Sequence, residues 1–411
     1  DTEDMFKYLM MAGGPTADEA KVRLYCESSL DHYRWLTDKG IQYKESFHKD
    51  RAIMALNDDC LLYTGNEKAW PFVEKAKPCP RGHNIEIDGD NGGPVLMNTL
   101  TEQVNKRDNV TVHYDSRVVT LVADDANEVQ GVLARIDMKE RFVRARKGVI
   151  LCAGGFVMND EMLKKYIPGL LGARDFEKVG SSGDMGTGIL MGVGAGGATL
   201  NMSEHFISLP YYPPADLTFG ILVNSAAQRF VNEDVYHGRV GYMIERQIGE
   251  KVYFIFPLSD DFQRPMFLMA DVAGTGETVE ELAEDLGLDA DALTNTIELY
   301  NKYSERGEDA QFHKAAEWLR PLEAPYAALD CSLDPGYGAI FPHFTLGGLD
   351  TLPTGEVLAH DREPIPGLYA AGRTACGLPR WGGGYSSGMS VGDATFFGRM
   401  AGKTVAARAS R

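Results

Sequence analysis

The stretch Gly367-Leu368-Tyr369-Ala370-Ala371-Gly372-Arg373, running on to Gly382-Gly383-Gly384-Tyr385-Ser386-Ser387-Gly388-Met389-Ser390-Val391-Gly392-Asp393, decides how this chain folds. A short apolar strand breaks into glycines. The glycines open a helix with Phe396, Phe397, Met400, Ala401 and Val405 on its apolar side. Glycines let the backbone approach a ligand with no Cβ in the way, and the free N–H groups of a first helical turn favour negative charge. This pattern fits a cradle for an anion or a cofactor. A single glycine cluster reads equally well as an ordinary strand-to-helix turn, so the question is whether the pattern recurs.

It does. Gly148-Val149-Ile150-Leu151-Cys152-Ala153-Gly154-Gly155-Phe156 is a buried strand ending in glycines, and Gly183-Asp184-Met185-Gly186-Thr187-Gly188 opens a glycine-rich helix expected to run to about Thr199. Residues 1–38 are helical in pattern, and a polar, Pro- and Gly-dotted region follows from Lys44 to Gly93. Next come a helix near Pro94–Arg107, strands over 110–114, 118–123, 129–137 and 141–146, and a turn at Asp124–Asn127. From about residue 204 the texture changes to strands and long loops, interrupted by one helix with the capping box Thr278-Val279-Glu280-Glu281 and another with Leu293, Ile297 and Tyr300. This order predicts one domain built from both ends of the chain, 1–203 and 356–411, with a second inserted over 204–355. Clefts between such domains are where cofactors and substrates commonly meet.

The chain has 411 residues, enough for two domains, and its net charge of −18 argues against nucleic acid or an anionic membrane as a partner. The six cysteines are scattered with no Cys-x-x-Cys spacing, and the nine histidines form no metal-ligand pattern. With no signal-peptide pattern and no apolar run long enough to span a bilayer, the expectation is a cytoplasmic protein with reduced thiols.

Three glycine cradles in this order, together with Gly92-Gly93-Pro94-Val95-Leu96-Met97, Asp115-Ser116-Arg117-Val118 and Arg229-Phe230-Val231-Asn232-Glu233, resemble the fumarate reductase and ketosteroid dehydrogenase family of FAD proteins. The resemblance covers nearly the whole chain. Asn232-Glu233-Asp234-Val235-Tyr236-His237-Gly238-Arg239 and Gly384-Tyr385-Ser386-Ser387-Gly388 are most similar to the branch acting on the A ring of 3-ketosteroids, in particular to the 4-dehydrogenases of 3-keto-5α-steroids. It implies an α/β fold: an FAD-binding domain of the glutathione-reductase type with an inserted α+β catalytic domain. Members of the family open with a βαβ unit whose Gly-x-Gly-x-x-Gly turn receives the FAD pyrophosphate. The first ninety residues hold no such turn, so the expectation is a member whose N-terminal segment is missing from this sequence.

The resemblance also implies roles. Val118, Ala153, Gly154, Gly155, Asp184, Gly348, Gly372, Arg373, Ser390 and Val391 would bind FAD, with Asp184 on the ribityl chain and the C-terminal helix opening toward the flavin ring. Read alone, Asp184 is a helix N-cap, the commoner role for such a residue. Tyr385 stands where fumarate reductases carry an arginine for the substrate carboxylate, which points to a neutral ketone. Tyr385 would polarise the C3 ketone, Ser387 with Tyr236 would take a proton from C4, and a hydride from C5 would pass to flavin N5. Phe206, Tyr211, Tyr212 and Trp381 are candidate apolar walls, and His343 is a candidate pocket residue. The expected partners are a steroid-like ketone and an external electron acceptor, with no metal. Rival readings are 1-dehydrogenation of the same ring, an enone or fumarate-type reductase, and a flavin-free fragment with a binding role.

Overall fold

The computed structural model describes residues 1–49, 58–87, 92–171, 177–210, 215–247, 251–259, 268–333 and 340–410. At its centre the strand Val149–Leu151 runs parallel to Pro364–Ala370, with Leu368 opposite Val149 and Ala370 opposite Leu151. Parallel neighbours need a crossover. Here the crossover is the whole of the chain between them, so the glycine turns after both strands emerge at the same end of the sheet.

An antiparallel meander, Arg117–Ala123, Val129–Ile136 and Lys139–Arg144, covers one side of this layer. Val129 packs with Leu151, Leu368 and Ala370 in one apolar cluster. The expected strand over 110–114 does not form. Val110, Val112 and Tyr114 alternate as strand residues do, but they lie exposed, with no ladder to satisfy their backbone groups. The helix expected to reach Thr199 is Thr187–Gly194, and Thr199–Leu200 instead pairs as a short strand with Gly348–Leu349.

A four-stranded antiparallel sheet, ordered Val272–Gly276, Tyr326–Asp330, Val252–Pro257, Ile221–Asn224, forms the centre of the region after residue 204. Its strands are apolar on both faces and read accordingly. Ile221, Val223, Tyr253, Ile255 and Ala328 pack against the helices Val279–Leu286 and Ala290–Arg306, whereas Leu222, Phe254, Phe256, Ala327 and Leu329 enter a second core. The capping box behaves as expected: Thr278 accepts from Glu281 N. A buried quartet of charges ties this region down. Arg229 donates to Glu233 and Asp309 through four hydrogen bonds of 2.9–3.2 Å, and Lys314 Nζ stands 3.3 Å from Glu233 Oε2. Burial opposes ionisation of Glu233, but Arg229 and Lys314 outweigh it and hold this carboxyl below its ordinary range. The Arg229–Glu233 segment thus has a structural account of its own.

The two N-terminal helices, Thr2–Ala12 and Glu19–Asp38, are capped by Asp1 and Asp18. Their buried faces, Tyr8, Leu9, Ala12, Val22 and Cys26, join Phe206, Tyr236, Phe344, Tyr385, Met389, Phe396 and Phe397 in a single apolar cluster. Through that cluster they form one wall of the site. No helix among the described residues is long and apolar enough to cross a membrane, and all six cysteines are free thiols.

Candidate active site

Three glycine turns converge on one groove. Gly186 N donates to Gly155 O at 2.8 Å, and Thr374 Oγ1 donates to Gly154 O at 3.1 Å, so the turns after Leu151, before Thr187 and after Ala370 are bonded to one another. The groove encloses about 650 Å³, lined by Cys152, Ala153, Gly154, Asp184, Gly372 and Arg373 together with Ala394 and Gly398 of the C-terminal helix Met389–Ala407. Gly154 (φ +76°) and Gly372 (φ +61°) occupy left-handed backbone conformations that cost an ordinary residue about 1–2 kcal/mol.

Asp184 is not an N-cap. The helix at Thr187 is capped by Gly186 with no side-chain bond, and Asp184 instead accepts from Gly155 N and Ser181 N, each at 2.8 Å. It fixes the shape of two cradles at once. A Cβ on Gly154 would overlap its Oδ1. Arg373 is half-buried, with its guanidinium 4.8 Å above the Phe344 ring, rather than a solvated surface charge.

Five of the expected cofactor residues, Val118, Gly155, Gly348, Ser390 and Val391, fall outside the groove's lining. Val118 is 38% exposed on the outer meander strand. Gly348 is buried, and a Cβ there would stand 2.6 Å from the Ala375 carbonyl carbon, so protein backbone accounts for that glycine. Gly155 is likewise closed by Thr345, whose Oγ1 stands 2.6 Å from the position a Cβ would take. Ser390 and Val391 lie in the first turn of the C-terminal helix, Ser390 half-buried and Val391 exposed.

Beside the groove lies an aromatic cluster. Phe206 and Phe344, directly opposed across a two-stranded pair, stack at 4.8 Å, and the Tyr385 ring lies 4.7 Å from Phe206. Tyr236 stands 6.2 Å from Tyr385, centroid to centroid. The Tyr385 hydroxyl donates to Ser390 Oγ at 3.0 Å, and burial raises the phenol's pKa, so it stays a protonated donor. Ser387 is half-buried, with its N–H donating to Thr64 O at 3.3 Å. Ser386, to which the resemblance assigns no role, is the buried one, and its Oγ accepts from Tyr8 OH at 3.2 Å.

Tyr385 is held in place by the glycines before it. A Cβ on Gly382 would overlap His205 O, one on Gly384 would overlap Ala12 O, and one on Gly383 would stand 2.5 Å from the Trp381 ring. Trp381 itself packs on Gly14 and donates to Tyr242 OH at 3.0 Å, so it supports the loop and is not a free wall. Of the other candidate walls, Phe206 lies in the cluster, and Tyr211 and Tyr212 lie outside the described residues. Phe344, missed from sequence, is the wall that pairs with Phe206. His343 lies on the opposite strand face from Phe344, as alternation requires. Its Nδ1 is 3.0 Å from Phe341 O, and burial lowers its pKa, which makes it a neutral interior imidazole.

A family model described as FAD binding domain matches residues 1–385, and the chain belongs to that family. The glycine-lined groove fits this cofactor, and the cofactor is FAD. The fold is that of the FAD-binding flavoenzymes, as the motifs implied. The chain is 40% identical to the 3-ketosteroid-Δ4-(5α)-dehydrogenase of Rhodococcus jostii RHA1, solved in complex with 4-androstene-3,17-dione, with TM-score 0.91 over 99% of this chain and 84% of that one. It is 29% identical to the NADH:fumarate oxidoreductase of Klebsiella pneumoniae (strain 342) over 100% of this chain and 41% of that protein. It is also 29% identical to the 3-oxosteroid 1-dehydrogenase of Mycolicibacterium smegmatis over 78% of this chain and 60% of that protein. The chain thus spans less than two thirds of the length of these two relatives.

Proposed function

We propose that the protein is an FAD-dependent oxidoreductase that dehydrogenates the A ring of a 3-ketosteroid between C4 and C5. The observation that carries this reading is the buried Tyr385 phenol, kept protonated among Phe206, Phe344 and Tyr236 beside the cofactor groove. A dicarboxylate entering a closed site needs paired cationic groups. A flat ketone needs one directed donor and apolar walls, which this cluster supplies. The 40% identity to the Rhodococcus protein supports the same reading.

Held in the groove by Ala153, Gly154, Asp184, Gly372 and Arg373, FAD would supply a two-electron acceptor for the hydride at C5, with an external acceptor restoring it. The protein's side chains handle the proton. Tyr385 OH, released from Ser390, donates to the C3 ketone oxygen and stabilises the enolate that forms as C4 loses its proton. An unactivated serine is a weak base, so Ser387 takes that proton as it gives its own to Tyr236, and Tyr236 in turn gives up its hydroxyl proton onward to solvent. With the C4 proton lost and the C5 hydride gone, the C4=C5 bond is formed.

The test is dye reduction by the purified flavoprotein with a saturated-A-ring 3-ketosteroid, with the product's double bond located by mass spectrometry and NMR. Turnover with succinate and none with the steroid would overturn the reading, and a C1=C2 product would move it to the neighbouring bond.

A further inference from the structure

The polar stretch before Gly93 contains a short turn, Thr64-Gly65-Asn66-Glu67, that lies beneath both tyrosines. Asn66 is 0% exposed and Glu67 1%. The turn is bonded to itself: Glu67 Oε1 accepts from Thr64 N at 2.9 Å and also from Thr64 Oγ1, while Oε2 accepts from Gly65 N at 2.9 Å. Its outward bonds reach two distant parts of the chain. Asn66 Oδ1 accepts from Tyr236 N at 3.0 Å, and Asn66 Nδ2 donates to Tyr385 O at 3.2 Å. The next carbonyl contact is to the same loop, Ser387 N donating to Thr64 O at 3.3 Å. Gly65, at φ +127°, lies against the Tyr236 ring, where a Cβ would overlap Cδ2.

The chemistry of the two bonds identifies the residue that must stand there. A backbone N–H can only donate and a carbonyl can only accept, so the bridging side chain must accept at one end and donate at the other. An amide of this length does both. Alanine does neither, and an ionised aspartate accepts at both ends and so opposes the Tyr385 carbonyl.

We propose that Asn66 is a positioning residue that sets the separation of Tyr236 and Tyr385 by bridging their main chains, with Gly65 admitting the Tyr236 ring. This inference rests on the ketosteroid reading for its kinetic consequence and on geometry alone for its structural one. Asn66 touches neither reacting atom and works through the two tyrosines. Loss of the bridge lets the phenol that stabilises the enolate and the phenol that receives the proton drift independently. A shift of about 1 Å in such groups costs on the order of a hundredfold in rate.

The experiment uses the FAD-loaded protein and four variants, Asn66→Ala, Asn66→Asp, Tyr385→Phe and Asn66→Ala/Tyr385→Phe. In Asn66→Ala, kcat is expected to fall about ten- to a hundredfold with KM changed less than about threefold, at unchanged flavin content. Added to Tyr385→Phe, the same substitution should cost clearly less than it does alone, because the share of its effect that acts through the Tyr385 hydroxyl is already lost. Multiplicative losses would overturn the proposal. Asn66→Asp keeps the volume, which guards against collapse of the alanine variant, and its activity should recover as pH falls and the carboxyl regains a proton to donate to Tyr385 O. A flat pH response relative to the parent would count against the bridge. Hydrogen exchange needs no substrate: the Tyr236 amide should exchange at least about tenfold faster in Asn66→Ala, because its acceptor is gone. If that amide is unchanged the clamp is wrong, whatever the steroid assay gives. If the parent turns over no ketosteroid while the amide still responds, the functional reading fails and the clamp stands.

Discussion

The groove and the aromatic pocket adjoin, yet they are built from different material. The groove is made of backbone, from turns at Cys152–Gly155, Ser181–Gly186 and Ala371–Thr374, the first bonded to each of the other two and the first two held by Asp184. The pocket is made of side chains, with Phe206, Tyr236, Phe344 and Tyr385 delivered from four separated segments. A backbone-built site recognises a cofactor whose polar groups recur in every member of a fold, because a main-chain N–H does not change with sequence. A side-chain-built site can be respecified one residue at a time. The division teaches where each kind of change should register.

The largest effect belongs to the pocket. Tyr385→Phe deletes one preorganised donor, and turnover of a 3-ketosteroid should fall on the order of a hundredfold or more with flavin content and fold intact. Steady-state kinetics with the absorption spectrum check this, and a variant within a few-fold of the parent removes Tyr385 as the electrophile. Gly154→Ala tests the other half. Strain at φ +76° and overlap with Asp184 should weaken FAD retention about tenfold, read as the flavin-to-protein ratio after dialysis. Equal loss of turnover per bound flavin would break the division, because the groove would then be setting chemistry as well as affinity.

A smaller effect comes from Asp393, in the first turns of the helix that serves both halves. Burial raises its pKa to about 6 from an ordinary 3.8, against the Leu378 N–H bond and the Lys21 and Arg380 charges that lower it. A folded-state pKa above the unfolded one means that the native state binds the extra proton, so this carboxyl's contribution to stability is full at low pH and is lost as pH rises through about 6. Asn at this position keeps an acceptor for Leu378 N without the charge. Asp393→Asn should therefore gain on the parent by on the order of 2 kcal/mol between pH 4 and 7, followed by thermal melts. A difference that does not vary with pH would place the titration elsewhere. The smallest expectation is no change at all. Cys152 lines the groove with an exposed free thiol, but desolvation by the surrounding protein raises its pKa and keeps it protonated, so FAD should be released completely by acid precipitation from the parent and from Cys152→Ser alike. Yellow colour in the pellet would show a covalent link.

The same division decides what could be read from the sequence. The groove was legible because a backbone site needs glycines, and glycines in clusters after apolar strands are a local signal. Tyr385 was legible because it sits within such a cluster. The pocket's other contacts were not, because Phe344 meets Phe206 across a strand pair whose register only the fold sets, and Ser386 meets Tyr8 from the far end of the chain. Asn66 gave no signal at all, lying in a polar, irregular stretch whose composition reads as solvated loop. Val110, Val112 and Tyr114 misled in the other direction: alternation is a property of the strand, but forming one takes a neighbour. Asp184 showed that a residue type favoured at helix starts also suits the joint between two turns.

The Gly382–Gly384 run carries a consequence for how this protein can diversify. Each of its positions is pressed by a different neighbour, His205, Trp381 or Ala12, so none accepts even a methyl group without moving another element. The segment bearing the Tyr385 phenol is closed to gradual exploration. New substrate preferences, in evolution or in the laboratory, would have to arise from the opposite wall at Phe206 and Phe344, while the loop that holds Tyr385 is inherited unchanged.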